Sequence, residues 1–156
     1  SFFINVHEKA VWTENAYIKF NQEHHKISGS GSPSDGESDR DGWGSSVVDA
    51  NMTHGGYLSQ VEVPAINFSD FLSRFSHNDL IFCKLDIECS EYNVLRHLLS
   101  TGEIKKINTL FVEFHPHFTG GAETQDSTKS LVSDISSQGV DVHTGDVFHS
   151  WNKANA

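Results

Sequence analysis

Lys84-Leu85-Asp86-Ile87-Glu88-Cys89-Ser90-Glu91 decides how this chain folds. It follows the apolar run Leu80-Ile81-Phe82-Cys83 and ends that run abruptly in acidic side chains. A second boundary of this kind is Phe111-Val112-Glu113-Phe114-His115, after Thr109 and Leu110. Continuous apolar runs of this length read as strands buried on both faces, as in a parallel sheet. Between them, Tyr92, Leu95, Leu98 and Leu99 share one helical face, opened near Ser90 and stopped by Gly102. Strand–helix–strand puts both polar boundaries at the carboxyl ends of parallel strands, the edge where open α/β sheets bind ligands. Asp86, Glu88, Glu113 and His115 are therefore expected in one crevice. While the strand stays extended, Lys84, Asp86 and Glu88 would project from one side of it.

Outward from this centre the elements are shorter. Residues 2–11 read as a strand, and residues 16–20 as another, paired with it through Thr13-Glu14-Asn15. Residues 28–46 are mostly Ser, Gly and Asp and read as a mobile, solvated loop; the functional alternative is a lid anchored by Trp43. Residues 60–65 alternate, and Pro64 suggests an edge strand because it cannot donate to a ladder. Ser69 is placed to cap a short helix over residues 70–75. The strand expectations are residues 80–86 and 109–114, the latter ended by Pro116. Asp126 or Ser127 would cap a helix that turns Leu131, Val132 and Ile135 inward and closes at Gly139. Residues 140–143 and 147–151 read as a terminal hairpin around Thr144-Gly145-Asp146.

The 156 residues fit one domain. Apolar residues make up 37%, enough for a core but not a generous one. The formal charge is -10 with no basic run, which argues against a nucleic-acid partner and against an anionic membrane surface. No stretch reaches transmembrane length. The two cysteines, Cys83 and Cys89, sit at a strand and a helix start and do not suggest a disulfide framework. A reducing, cytoplasmic setting is expected.

The same residues carry a family resemblance. Asn67-Phe68-Ser69-Asp70-Phe71-Leu72, then Lys84-Leu85-Asp86-Ile87-Glu88 with Glu91, then Val112-Glu113-Phe114-His115, resemble the FkbM family of S-adenosylmethionine-dependent methyltransferases. Upstream, Lys9-Ala10-Val11-Trp12-Thr13 and Ile18-Lys19-Phe20 are similar to a further stretch of these enzymes, so the resemblance spans residues 3–118. The family usually has Gly after Asp-Ile-Glu; here it is Cys89, which bears on the local backbone.

The resemblance implies a class I methyltransferase-like, Rossmann-like α/β sheet, mostly parallel, ending in the hairpin. It implies S-adenosylmethionine as cofactor, and a small-molecule or carbohydrate acceptor methylated on oxygen. It places Ala10 and Val11 beside the adenine, although plain core packing explains them too. It also implies an upstream glycine-rich strand–turn–helix for the cofactor. Gly29-Ser30-Gly31 and Gly55-Gly56 do not fit that context, so the chain reads as lacking this unit. Weak cofactor affinity and an open sheet edge favouring homo-oligomers would follow.

Methyl transfer to a hydroxyl needs alignment and the removal of one proton. A positioned general base adds about 10²–10⁴-fold. His115 is the first choice because imidazole titrates near neutrality. Asp86 and Glu88 are the alternatives, with Glu113 a further catalytic candidate, and Asp86 and Glu88 are also candidates to hold the cofactor's cationic groups. Lys84–Asp86 as a simple ion pair, and Glu91 as a first-turn carboxylate, are the structural alternatives. Two readings from other classes remain. One is a non-catalytic remnant of the sheet acting as a binding or assembly module. The other is a metal-binding enzyme using His115 and His117 with Asp86 and Glu88 nearby, a set that would suit zinc or a redox metal, although His-Pro-His arises easily in a chain with 10 histidines.

Overall fold

The computed structural model describes residues 3–24, 46–47 and 57–145. Its centre is a parallel three-stranded sheet. Strand β4 (Phe82–Leu85) pairs with β5 (Thr109–Val112), and β5 pairs with β6 (Asp141–Thr144), both in parallel. Parallel neighbours need crossovers, and helices α2 (Glu91–Thr101) and α3 (Gln125–Ser136) supply them. Among the described residues this is a mixed α/β architecture compatible with a Rossmann-like fold.

The core lies between that sheet and its two helices. Tyr92, Leu95 and Leu98 of α2, Leu131 and Ile135 of α3, and Leu85, Leu110 and Val112 of the strands form one buried cluster. Ile104, in a 3-10 turn at Glu103–Lys106, and Ile107 close it at the end of α2. The opposite face of the sheet is less covered. Phe82 is 69% exposed and Lys84 is exposed, so β4 is not buried on both faces as its apolar run suggests. Side chains alternate along a strand, and both helices cover the face that carries Leu85 and Leu110.

A second sheet holds β1 (Ala10–Trp12), β3 (Tyr57–Asn67) and β2 (Tyr17–His24), in the order β1-β3-β2. The expected pairing of the first two strands does not occur. β1 runs parallel to β3 on one flank, and β2 runs antiparallel to it on the other. The connection between them is drawn toward the start of α1 (Phe68–Ser73) instead. Asn15 accepts from the Asn67 backbone at 3.0 Å and donates to Asp70 at 2.8 Å. Of the described residues 3–11 in the expected first strand, only Ala10 and Val11 join a strand, and Phe3, Ile4 and Val6 are at least 79% exposed.

Pro64 lies in the central strand, not at an edge. The β2 ladder ends at the pair Tyr17–Pro64, and the β1 ladder begins at Ala10–Ala65. The missing N–H thus falls where one partner gives way to the other. The helix caps also move. Asn67, not Ser69, caps α1 by accepting from the amides of Ser69 and Asp70. Thr124 caps α3 in a reciprocal box with Ser127, so the cap precedes both residues expected for it. Ser90 and Gly102 bound α2 as expected, with Gly102 at φ 78°. Residue 145 is the last described one. The return arm of the expected hairpin at 147–151 lies outside the described residues, as do Trp43 and all of the 28–46 stretch except Ser46.

Two substitutions test this packing. Leu110→Ala removes a side chain with no exposure from the middle of the sheet, and denaturant unfolding should show a loss of about 2–5 kcal/mol. Gly102→Ala meets no atom within 4 Å, so its cost should be the left-handed backbone alone, about 1–2 kcal/mol.

Candidate functional site

The carboxyl ends of β4 and β5 are side by side, locked by the Glu113 amide donating to the Leu85 carbonyl at 3.0 Å. Past Leu85 the chain does not stay extended. It turns through Glu88 at φ 48° and Cys89 at φ 74° before entering α2. Two successive left-handed residues that are not glycine cost about 1–2 kcal/mol each. The turn therefore needs holding. Three contacts hold it: the Glu91 carboxylate accepts from the Ile87 amide at 2.9 Å, Ser46 Oγ donates to the Glu88 carbonyl, and Cys89 Sγ lies 3.6 Å from the His115 carbonyl. The family's usual glycine falls on Cys89, and its left-handed backbone is one that glycine adopts without penalty.

Glu91 does more than begin a helix. Its side chain has no solvent exposure. Oε1 accepts from Ile87 and lies 3.2 Å from His115 Nδ1. A proton on Nδ1 satisfies that contact and leaves Nε2 for other partners. His115 itself is 7% exposed, and its Nε2 lies 3.7 Å from Glu88 Oε2 and 3.8 Å from Glu113 Oε1. One ligand atom each from Asp86, Glu88 and His115 falls within 4.8 Å of the others. Asp86 is also paired to Lys84 at 2.9 Å on an exposed edge.

Titration follows from this crowding. Burial pulls the His115 pKa down. The hydrogen bond to Glu91 and the charges of Glu91, Glu88 and Glu113 outweigh it, and the net shift is upward from 6.5. Burial raises Glu88, helped by Asp86, Glu91 and Glu113 and opposed by His115. Burial, with Glu91 and Glu88 beside it, pushes the Cys89 thiol up to about 12, so it is not a nucleophile.

A cleft of about 530 Å³ opens beside this cluster. Asp86, Ile87, Glu88 and Ser90 form one wall, and Lys9, Ala10 and Val11 of the β1 end form another. Phe20, Gln22 and Val47 complete it. All four residues expected to hold the cofactor, Ala10, Val11, Asp86 and Glu88, thus line one cavity. His115 and Glu113 belong to the adjoining cluster and are not part of the cleft lining. His117 is exposed and is not part of the Asp86–Glu88–His115 group. Sequence reasoning missed the inward role of Glu91, whose signal was its place one residue after the cap. It also missed Ser46 and Val47, which no local pattern marks. Both cysteines are free, and among the described residues no helix is long and apolar enough to cross a membrane.

These features define an α/β domain with an acidic and imidazole site at the carboxyl ends of parallel strands. Residues 6–139 match the family described as Methyltransferase FkbM domain, and the chain belongs to that family. The family points to methyltransferase activity. No curated protein and no solved structure matches the chain.

Three measurements probe the site. Glu91→Ala strips the buried partner from His115 and Ile87 and should cost about 3–5 kcal/mol, whereas Asp86→Asn on its exposed pair should cost under about 1 kcal/mol. Cys89→Val forces a β-branched residue to positive φ and should destabilise by about 2 kcal/mol or more, while Cys89→Gly should stay within about 1 kcal/mol of the parent. In an NMR pH titration His115 should show its midpoint above 6.5. The stability it contributes is then complete below 6.5 and lost as pH rises through the folded value, and Glu91→Gln should lower that midpoint.

Proposed function

We propose that this chain is the catalytic part of an S-adenosylmethionine-dependent methyltransferase acting on an oxygen of a small molecule or sugar, with a class I methyltransferase-like arrangement. The observation that carries this reading is the convergence of Ala10, Val11, Asp86 and Glu88 on one cleft beside His115. On the β1 side Ala10 and Val11, next to Lys9, offer small apolar surface that suits a flat ring, and on the β4 side Asp86 and Glu88 offer negative charge that suits a positive group. When bound, the cofactor supplies an electrophilic methyl group on a cationic sulfur.

The chain's own groups do the rest. The carboxylates of Asp86 and Glu88 favour positive charge at the strand ends. Ala10 and Val11 offer the cleft side chains too small to crowd an aromatic ring. The His115–Glu113 pair would take the proton of the acceptor hydroxyl, and Glu91 would keep the imidazole oriented for it. Alignment supplies much of the acceleration in such a displacement. The two free cysteines agree with a reducing, cytoplasmic setting.

Amide shift mapping with S-adenosylhomocysteine tests the reading. Shifts should concentrate at Ala10, Val11, Ile87 and Glu88. Saturable shifts elsewhere with none at these positions would reject it. In the intact protein, Asp86→Asn should reduce methyl transfer at least about tenfold without a matching loss of folded protein, a difference of about 1.4 kcal/mol in the barrier.

A further inference from the structure

We propose that Asp86, Glu88 and His115 form a binding site for one divalent metal cation of the Mn²⁺ or Mg²⁺ class. The three come from two strand ends, and one donor atom from each lies within 4.8 Å of the others. Donors bound to one small cation at about 2.1 Å stand about 3–4 Å apart, so closing the site needs shifts well under a side chain's length. Asp86 and Glu88, with side chains 34% and 21% exposed, have room to make them.

The orientation of His115 is the stronger argument. Metal-bound histidines hold their other ring nitrogen on a carboxylate or carbonyl, which fixes tautomer and ring plane. Glu91 does this here from a fully buried position, 3.2 Å from Nδ1. Nε2 is left facing the carboxylates of Glu88 and Glu113. Ser90 is an independent sign of a missing polar partner. It is 1% exposed and lines the cleft with Asp86 and Glu88, and its Oγ makes no hydrogen bond among the described residues. Charge points the same way. Asp86, Glu88, Glu91 and Glu113 gather around one imidazole, and among the described residues the only lysine paired to any of them is Lys84, on Asp86. Two carboxylates and one imidazole, with open positions for water or a hydroxyl, suit a hard to borderline divalent ion.

Cation binding stands apart from the methyl-transfer reading, but its use in the reaction rests on that reading. With the cation in place, His115 is its ligand. An acceptor hydroxyl bound to the cation becomes more acidic, its proton passes to Glu113, and its oxygen bonds to the methyl carbon as the carbon–sulfur bond breaks.

The test is Mn²⁺ titration of the metal-free protein by calorimetry and by paramagnetic broadening of amide signals. One ion should bind, and broadening should centre on Asp86, Glu88 and His115. Glu88→Gln, a partly exposed change, should weaken binding at least tenfold; Glu91→Gln should weaken it about 10–100-fold through His115. Unchanged amide spectra away from the site verify folding of each variant. No broadening there at millimolar Mn²⁺, or equal affinity in Glu88→Gln, would overturn the proposal. Mapping S-adenosylhomocysteine on the same samples separates the two ideas: Mn²⁺ binding without shifts at Ala10 and Val11 keeps the metal site and removes the methyl-transfer reading.

Discussion

A single carboxylate organises this molecule's working edge. Glu91 belongs to α2, its Oε1 accepts from Ile87 after β4, and the same atom faces His115 after β5. Three elements that meet only at the sheet's carboxyl end are thereby tied at one point. Burying a charged carboxylate costs several kcal/mol unless it is well paired. Here the compensation comes from the backbone amide, the imidazole and the positive end of α2, in whose first turn Glu91 sits. Oε2 of the same group has no partner among the described residues, so the compensation is incomplete. Without the carboxylate at position 91 the Ile87 amide would lose its acceptor and His115 would be left undirected.

The strain next to it belongs to the same arrangement. An ordinary turn after Leu85 would continue the strand or enter the helix directly. Instead Glu88 and Cys89 take left-handed conformations. This brings the Glu88 carboxylate within 3.7 Å of His115 and leaves its carbonyl to Ser46. Strain of this kind persists where the surroundings over-determine it, and it clusters at functional sites. Cys89 occupies a place where glycine would be free of strain, and its buried sulfur recovers part of the cost through packing against the His115 backbone.

The sequence made the centre of the fold legible because the signal there is strong. Apolar runs that end in charge mark strand ends, and Ser90 and Gly102 bracket a periodic helix; both readings hold in β4, β5 and α2. Asp86, Glu88, Glu113 and His115 were readable as one group for that reason. Ala10 and Val11 were readable only through family resemblance, since their own pattern fits a core as well. What failed depends on partners distant in sequence. Pro64 looks like an edge residue until β1 and β2 are known to divide β3 between them. Asn15 looks like a hairpin turn until Asn67 and Asp70 claim its side chain. Phe82 looks buried until both helices prove to cover the other face.

The cleft's two walls come from different sheets, and that division has a chemical consequence. The β1 side contributes small apolar side chains on a short strand held by β3. The β4 side contributes carboxylates on a strained turn held by Glu91. A ligand with an apolar ring toward Ala10 and Val11 and a positive group toward Asp86 and Glu88 fits this arrangement, with Lys9 at the rim of the β1 wall. In a chain with a formal charge of -10, an anionic site is also no obstacle to the approach of a cation, whether organic or metallic. The two kinds of cation would compete for Asp86 and Glu88 unless they sit at different depths. His115 and Glu113 adjoin the cleft without lining it, which gives the deeper position to whatever His115 binds and the outer one to whatever lies against Ala10 and Val11.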